Sequence, residues 1–569
     1  VSVPIADTQA TFAATLVDEW VRAGVRHAVV CPGSRSTPLA VALAGRDELT
    51  VHVRLDERSA CYFALGTALA TGLPAVVCTT SGTAAAELHP AVVEASHAGV
   101  PLLVCTADRP PRLHQVGAPQ TIEQRGLYGS AVRRSFDPGV PREADRGWWR
   151  ALGAGSVADA VALSGPVHLN LAFEEPLLGE IGSLPPPLPG DPGRSAGAAT
   201  GPVLARVDRP GRGIVIAGAG APTPEVTLPL VERLGWPLLA DPRSRLRVSH
   251  PSVVSAVDAI LRDPSARRAL VPETVLVLGQ PWTSRVLAEF LETVARSGCR
   301  VVAAGAAPSD PARIVAETYR TDPGIVLAEL AGASPAAPAE WGAAWERAEA
   351  AAQGAIAKVL ENDPLSAGGR ATEPGVARHL FGALDSATTL FTSSSMPMRD
   401  VEWYGAPRPD PPRVLANRGA NGIDGVTSTA LGVAAASGPV VAALGDLAFL
   451  HDVSALVEIG VETGAPCTLV VIDNGGGGIF SFLPQAAGLG RTSFEQLFGT
   501  PPWTAVLEVA RGFGLPAVEV ATIEGLDEAL AAASGRSVVR VEVPRREDNA
   551  ALHQRIHQAV AEGVAPVLG

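Results

Sequence analysis

The chain has 569 residues, of which 47% are hydrophobic and 18% charged, and carries a formal net charge of −13. A length of this order holds roughly three or four domains of ~150 residues, and the composition is that of a globular chain with ample core rather than a disordered one. The negative balance argues against nonspecific nucleic-acid binding and against docking on an anionic membrane.

No apolar run is long and bulky enough to insert in a bilayer. The longest mild stretch, residues 429–444, is Ala/Gly-rich and broken by Ser437-Gly438-Pro439. No basic segment followed by an apolar one opens the sequence, so no secretory signal is expected. The cysteines at 31, 61, 78, 105, 299 and 467 are scattered without a CxxC pair, as reduced core residues of a cytoplasmic protein would be. Lys358 is the only lysine, so arginine supplies nearly all the positive charge.

The first block, residues 1–185, alternates short β-rich runs (25–31, 75–79, 101–106, 166–171) with Ala/Leu-rich helical stretches. That pattern predicts buried parallel strands with crossover helices. Cys31-Pro32-Gly33-Ser34-Arg35-Ser36 follows the first run, and Thr106-Ala107-Asp108-Arg109-Pro110 ends another. Residues 51–55 read as a strand ending at Asp56-Glu57-Arg58, with a helix over 60–71. A carboxylate there sits where α/β folds place ligands, and apolar packing would make it hold its proton tightly. The plain alternative is a charged helix start, which acids favour, and taken alone it is the stronger one. A phosphate motif further along the chain reverses that preference, and Glu57 is preferred to Asp56. Ser81-Gly82-Thr83 is expected to cap a helix starting at Ala84. His89, His97 and His451 show no metal-ligand spacing.

A Pro/Gly/Ser/Ala-rich stretch, with residues 186–199 at its centre, reads as a linker. The second block, 200–335, has strand-like runs at 213–220, 273–279 and 300–303. Gly218-Ala219-Gly220 resembles a nucleotide-binding turn, but the third glycine is missing and Pro222 and Pro224 occupy the start of the next helix. A Rossmann-like spacer is the expectation. A second linker, 336–364, contains a helix over 341–360.

In the third block, 365–569, Ser393-Ser394-Ser395-Met396-Pro397-Met398-Arg399 follows a strand at 388–392, and Asn417-Arg418-Gly419-Ala420-Asn421-Gly422-Ile423-Asp424 follows one at 413–416. Arg35, Arg109, Arg399 and Arg418 thus share strand-end loops. Guanidinium forks bind carboxylates in a bidentate way, so the set implies small polycarboxylate substrates that a net-negative protein would otherwise repel. Gly445-Asp446-Leu447 is separated by 26 residues, including an apolar strand at 467–472, from Asn474-Gly475-Gly476. A carboxylate, an amide oxygen and a glycine carbonyl are hard donors suited to Mg²⁺ bearing a diphosphate, and glycines let the backbone approach phosphate oxygens.

This spacing resembles the GDG…NN diphosphate motif of thiamine diphosphate (ThDP) enzymes, with departures at Leu447 and Gly475. Together with the arginine loops, the chain resembles the MenD family of the menaquinone pathway over essentially its whole length. The match is strongest at 31–39, 56–58, 80–85, 106–111, 417–425 and, apart from Gly475, 474–480.

The resemblance implies an α/β fold of three Rossmann-like domains of the ThDP-dependent decarboxylase type: pyrimidine-binding, central and diphosphate-binding. It implies decarboxylation of 2-oxoglutarate and conjugate, Stetter-like addition of the succinyl carbanion equivalent to isochorismate, with ThDP and Mg²⁺ (or Mn²⁺) as cofactors. Glu57 matches the carboxylate for the pyrimidine N1′, with Arg35 and Gln120 as further catalytic candidates. Asp446, Asn474 and the Gly476 carbonyl match the metal ligands. Ile423 matches the residue wedged between the cofactor rings, and Ser395, Met396, Gly445, Leu447 and Ile479 complete the cofactor contacts. Arg399, Arg418 and Ser395 match the 2-oxoglutarate side, and Ser34, Arg35, Arg109 and Gln120 the isochorismate side. Arg285 stands where some relatives have a lysine, and Ile479 and Phe480 would form an apolar wall. The family also implies a homo-oligomer with active sites at the subunit interface. Two alternatives stay open: another ThDP lyase resembling acetolactate synthase, which needs fewer arginines, and a nucleotide-binding regulatory protein built on Gly218-Ala219-Gly220.

Overall fold

A computed structural model describes residues 3–188, 211–280, 283–305, 310–457 and 465–569. Of the expected first linker, residues 189–199 lie outside the described residues.

Three six-stranded sheets, parallel throughout, carry the fold. The first contains β1 (His27–Val30), β2 (Thr50–Val53), β3 (Ala75–Thr79), β4 (Leu102–Asp108), β5 (Arg134–Phe136) and β6 (Pro166–Ala172) in the order β2-β1-β3-β4-β6-β5. The second contains β7 (Gly213–Ala217), β8 (Leu238–Ala240), β9 (Val253–Val254), β10 (Thr274–Leu278), β11 (Arg300–Ala304) and β12 (Glu317–Tyr319), ordered β12-β11-β10-β7-β8-β9. The third contains β13 (Thr389–Thr392), β14 (Arg413–Ala416), β15 (Val440–Gly445), β16 (Cys467–Asp473), β17 (Ala517–Val520) and β18 (Arg536–Glu542), ordered β14-β13-β15-β16-β18-β17.

Central strands such as β3, β4 and β6 are buried at every position. This is why their runs are uniformly apolar rather than alternating. The strands that the apolar runs do not reveal (β5, β8, β9, β12 and β17) are short and lie at or next to a sheet edge. Partial exposure blurs β5, β12 and β17, while β8 and β9 are buried but only three and two residues long.

The first and third sheets share one strand order, and they pack through equivalent helices. Glu57–Thr71 follows β2, and Val426–Ser437 follows β14. Each helix contributes a glycine at the crossing. A Cβ on Gly66 would lie 2.1 Å from the Thr429 carbonyl oxygen, and one on Gly432 would lie 2.1 Å from that of Phe63. Backbone therefore meets backbone, and one apolar cluster runs from Val29 and Val77 through Phe63 and Val433 to Leu444 and Val471.

The central sheet has its own core. The helix expected over 341–360 is Ala339–Asn362. It packs with the C-terminal helix Arg546–Leu568, so that Trp345 and Ile356 share the central cluster with Ile556 and Val560. The central strand order is that of a dinucleotide-binding sheet, with its switch point between β7 and β10. The chain ties its two loops together at that point, beside a cavity of about 1060 Å³ lined by Gly220, Gly279, Gln280 and Asp322, among others. Gln280 N donates to the Ala219 carbonyl at 2.9 Å, and a Cβ on Gly218 would sit 1.4 Å from the Gln280 oxygen. Gly218 serves this contact, whereas nothing lies within 4 Å of a Cβ at Gly220. Among the described residues no helix is long and apolar enough to cross a membrane.

Candidate active site

In the first sheet, the loops after β1 and β3 meet at the switch point between those strands. A Cβ on Gly33 would come 2.4 Å from Thr80 Cβ, so this approach requires glycine. Arg35, 4% exposed, donates to the Phe173 carbonyl (3.0 Å) and to Glu175 Oε1 (2.9 Å). Burial lowers its pKa, and the Arg109 charge pushes the same way. The Nε–H groups of Arg35 and Arg109 are both buried without a hydrogen-bond partner, which leaves donor capacity for an anion. Ser34 is exposed next to them.

Ser81 corrects one expectation. The helix Thr83–Glu87 has no side-chain cap. Ser81 Oγ instead donates to the Gln120 carbonyl at 2.9 Å, and Gln120 Nε2 donates back to the Ser81 carbonyl at 3.1 Å. Gln120 is thereby held at φ 56, a conformation rare outside glycine and concentrated at ligand sites.

Glu57 is the first residue of its helix, so the predicted start at 60 moves back one turn. Asp56 is the cap, its Oδ1 accepting from Ser59 N at 3.0 Å. That commits Asp56 to the helix and leaves the Glu57 carboxylate free. Glu57 is half-buried, and its pKa is raised, first by desolvation and then by the charges of Asp56 and Glu87.

The third sheet repeats the geometry at the switch point between β13 and β15. Asp446, 2% exposed, begins the helix Asp446–His451. Its Oδ1 accepts from Leu447 N and its Oδ2 from Gly476 N, each at 2.7 Å. Burial and then the Asp473 charge raise its pKa to about 7. Asn474 Nδ2 donates to Glu373 Oε1 at 2.8 Å, and Asn474 Oδ1 is buried without a partner. An orphan amide oxygen and a buried carboxylate, tied together through Gly476, form a donor set that fits a hard divalent cation.

The two motif departures leave the backbone intact. Gly475 has φ 77 with nothing near its Cβ position, a left-handed conformation that glycine and asparagine both adopt. Leu447 lies within an ordinary helix. Gly476 has no such latitude, because a Cβ there would meet the Gly499 carbonyl at 2.0 Å. Arg546 holds this loop, donating to the carbonyls of Gly475 (2.8 Å) and Gly499 (2.6 Å).

A cavity of about 720 Å³ opens beside the loop, lined by Arg285, Met396, Arg399, Ile479, Phe482 and His553, among others. Arg399 rides on the helix Met396–Tyr404 and donates to the Ser395 carbonyl at 2.7 Å. Ser395 has φ 72, a second strained candidate residue. Arg285 is highly exposed and paired with Glu289 at 2.7 Å. Phe480 packs against Phe498 in a tilted pair, 5.3 Å between ring centroids, and Ile479 and Phe482 line the cavity instead. The Arg418 pKa is lowered by burial and by the charges of Arg243 and Arg399, and is opposed by Glu402 and Asp241. Ile423 is 38% exposed. Its loop is held by Glu94, which accepts from Gly419 N and Asn421 N at 2.8 Å each and also from Ala420 N.

The candidates thus form two groups, one around Glu57 and Arg35 and one around Asp446 and Arg399. Among the described residues no hydrogen bond or ion pair joins them. The neighbours of Glu57 do reach the third sheet: Arg58 approaches Asp452 at 3.5 Å, and Ser59 Oγ lies 2.8 Å from Ser454 Oγ.

Glu94, Glu373 and Arg546 do not stand out in the sequence. Glu94 carries a signal in being an acid on the buried face of the helix His89–Ala98. Glu373 reads as a helix-start acid after the cap Thr372.

Residues 10–127 match the family profile for the thiamine pyrophosphate enzyme N-terminal TPP binding domain. Residues 204–392 match the thiamine pyrophosphate middle domain, and 401–543 the C-terminal TPP binding domain. The chain is 42% identical to a 2-succinyl-5-enolpyruvyl-6-hydroxy-3-cyclohexene-1-carboxylate synthase of Thermobifida fusca, covering 97% of this chain and 99% of the relative. It is 40% identical to the enzyme of that name from Chloroflexus aurantiacus, over 95% and 94% of the two chains. For Saccharopolyspora erythraea the identity is 39%, over 96% and 98%.

Proposed function

The chain belongs to the 2-succinyl-5-enolpyruvyl-6-hydroxy-3-cyclohexene-1-carboxylate synthase family of thiamine pyrophosphate enzymes, and we propose that it carries out that synthesis. It decarboxylates 2-oxoglutarate and adds the succinyl unit, as a carbanion equivalent, to isochorismate. One observation carries the reading. The turn over residues 474–482 carries the orphan oxygen of Asn474, is tied to Asp446 through Gly476 N, and lines the Arg285–Arg399 cavity at its other end.

Thiamine diphosphate, when bound, supplies the electron sink that decarboxylation of a 2-oxoacid requires. Asp446, Asn474 and the Gly476 carbonyl would hold Mg²⁺, or Mn²⁺, on its diphosphate. Ser395, Met396, Gly445, Leu447 and Ile479 would surround it, with Ile423 against its rings. Glu57 would hold a proton at the pyrimidine N1′, a task helped by its raised pKa. Arg399 and Arg418, with Ser395, would take the carboxylates of 2-oxoglutarate. Ser34, Arg35, Arg109 and Gln120 would take isochorismate, with Arg285 at the cavity mouth and Phe480 behind its wall.

By likeness to the family, we infer that each site is completed by the third block of a partner copy. The exposed apolar side chains of Leu55 (58%) and Ile423 (38%) support such a contact. The six cysteines are all free thiols, which supports a cytoplasmic protein.

Incubation with ThDP, Mg²⁺, 2-oxoglutarate and isochorismate tests the reading. Coupled product should form, and omission of isochorismate should cut CO₂ release to a small fraction. Undiminished CO₂ release without isochorismate would mark a simple 2-oxoacid lyase instead, and a fully active monomer in sedimentation would overturn the shared site.

A further inference from the structure

Arg247, in the loop after β8 of the central sheet, is wholly buried, yet it faces no substrate candidate. Its guanidinium donates to the carbonyls of Val401 (3.1 Å), Glu402 (2.6 Å) and Gly405 (2.6 Å), and to Ala240 of its own domain (2.8 Å). The first three are carbonyls at the C-terminal end of the helix Met396–Tyr404, which carries Arg399. A cation there binds carbonyls of the last turn and complements the helix dipole. A buried arginine costs desolvation free energy that an apolar side chain would not, so its placement calls for more than packing.

Further contacts fasten this helix and the segment that follows it to the central domain. Arg408 N donates to the Arg247 carbonyl, and Ser249 N to that of Arg408, at 3.1 Å each. Thr283 Oγ donates to Glu402 Oε2, and Thr283 lines the same cavity as Arg285 and Arg399. At the other end of the helix Arg399 is tied to the strained Ser395. A shift of this helix therefore moves the Arg399 fork directly.

We propose that the central domain positions the carboxylate-binding arginine of the neighbouring domain, with Arg247 and Thr283 as positioning residues that set the affinity for 2-oxoglutarate. The inference rests on the assignment of Arg399 to that substrate. Charge-assisted hydrogen bonds orient a short helix more firmly than apolar packing does, and an arginine fork tolerates little displacement from its carboxylate.

The test compares Arg247→Met, Arg247→Lys and Thr283→Val by steady-state kinetics with each substrate varied in turn. Arg247→Met should raise KM for 2-oxoglutarate about tenfold, the scale of a hydrogen bond to a charged group, with KM for isochorismate within about twofold. Arg247→Lys should recover part of the loss, and Thr283→Val should move the same constant by about threefold. Equal changes in both KM values, or none, would overturn the inference. If Arg247→Met fails to fold, an unchanged 2-oxoglutarate KM in Thr283→Val overturns it alone. Arg399→Ala measured alongside separates the two ideas, since no effect there removes the site assignment itself, and the positioning role with it.

Discussion

Glu373 fixes the orientation of Asn474. The carboxylate accepts the side-chain N–H at 2.8 Å, and the amide oxygen is left buried and unpartnered. A neutral amide flips at little cost in isolation, so the acid decides which atom faces the proposed cation. Groups that orient a metal ligand are commonly worth about 10–100-fold in metal affinity. Glu373→Ala should therefore weaken Mg²⁺-dependent ThDP binding on that scale in titration calorimetry, with the fold retained by circular dichroism. Unchanged affinity would show that Asn474 needs no such support.

Glu57 is the candidate for the proton at N1′, with Asp56 already spent on the helix cap. Glu57→Gln should bind ThDP normally and lose about 10²-fold or more in turnover, the scale of general acid–base catalysis. Near-native turnover would remove Glu57 from that role.

The crossing of Glu57–Thr71 with Val426–Ser437 depends on Gly66 and Gly432. Alanine at either position drives a Cβ to 2.1 Å from a carbonyl oxygen of the opposing helix, and backbone cannot yield as a flexible side chain can. Gly66→Ala and Gly432→Ala should each cost about 1–3 kcal/mol or more by overpacking, read as lowered urea midpoints. Gly512→Ala, where nothing lies within 4 Å of the Cβ position, is the control and should be close to neutral.

Glu402 is fully buried. Its pKa is raised to about 8 by burial first and then by Asp241 and Asp258, against the opposing charges of Arg247 and Arg243. A folded-state pKa above the unfolded value means that the folded state binds the proton more tightly. That stability is fully present below the unfolded pKa of about 4.3 and is lost as pH rises through about 8. Glu402→Gln keeps a neutral side chain at all pH values. Its stability relative to the parent should therefore rise between about pH 5 and about pH 9 in urea unfolding. A constant difference would show that Glu402 does not titrate in that window.

Much of the fold is legible in local pattern. The apolar runs that become β1, β3, β4, β10, β15 and β16 are buried on both faces, so their signal is continuous. The edge strands β5, β12 and β17 carry mixed residues and β9 is only two valines long, so all four escape notice. Ser81 shows how a local rule is displaced. Ser-Gly-Thr reads as a helix cap, but the loop bearing Gln120 packs close enough to take the hydroxyl.

The sequence by itself determined the chemical inventory: hard oxygens at Asp446 and Asn474, arginines at four strand ends, a carboxylate at Glu57 and the α/β alternation. These are properties of residue type and short spacing, written within a few turns of chain. Only the tertiary structure decided which groups meet. Asn474 finds Glu373 across 101 residues, Gly419 finds Glu94 across 325, and Arg247 finds the Glu402 carbonyl across 155. Nothing in the local sequence marks one acid or one arginine for such a partner. The pairing follows from which sheet ends and helix termini the packed cores bring together, where a buried polar group must find its complement.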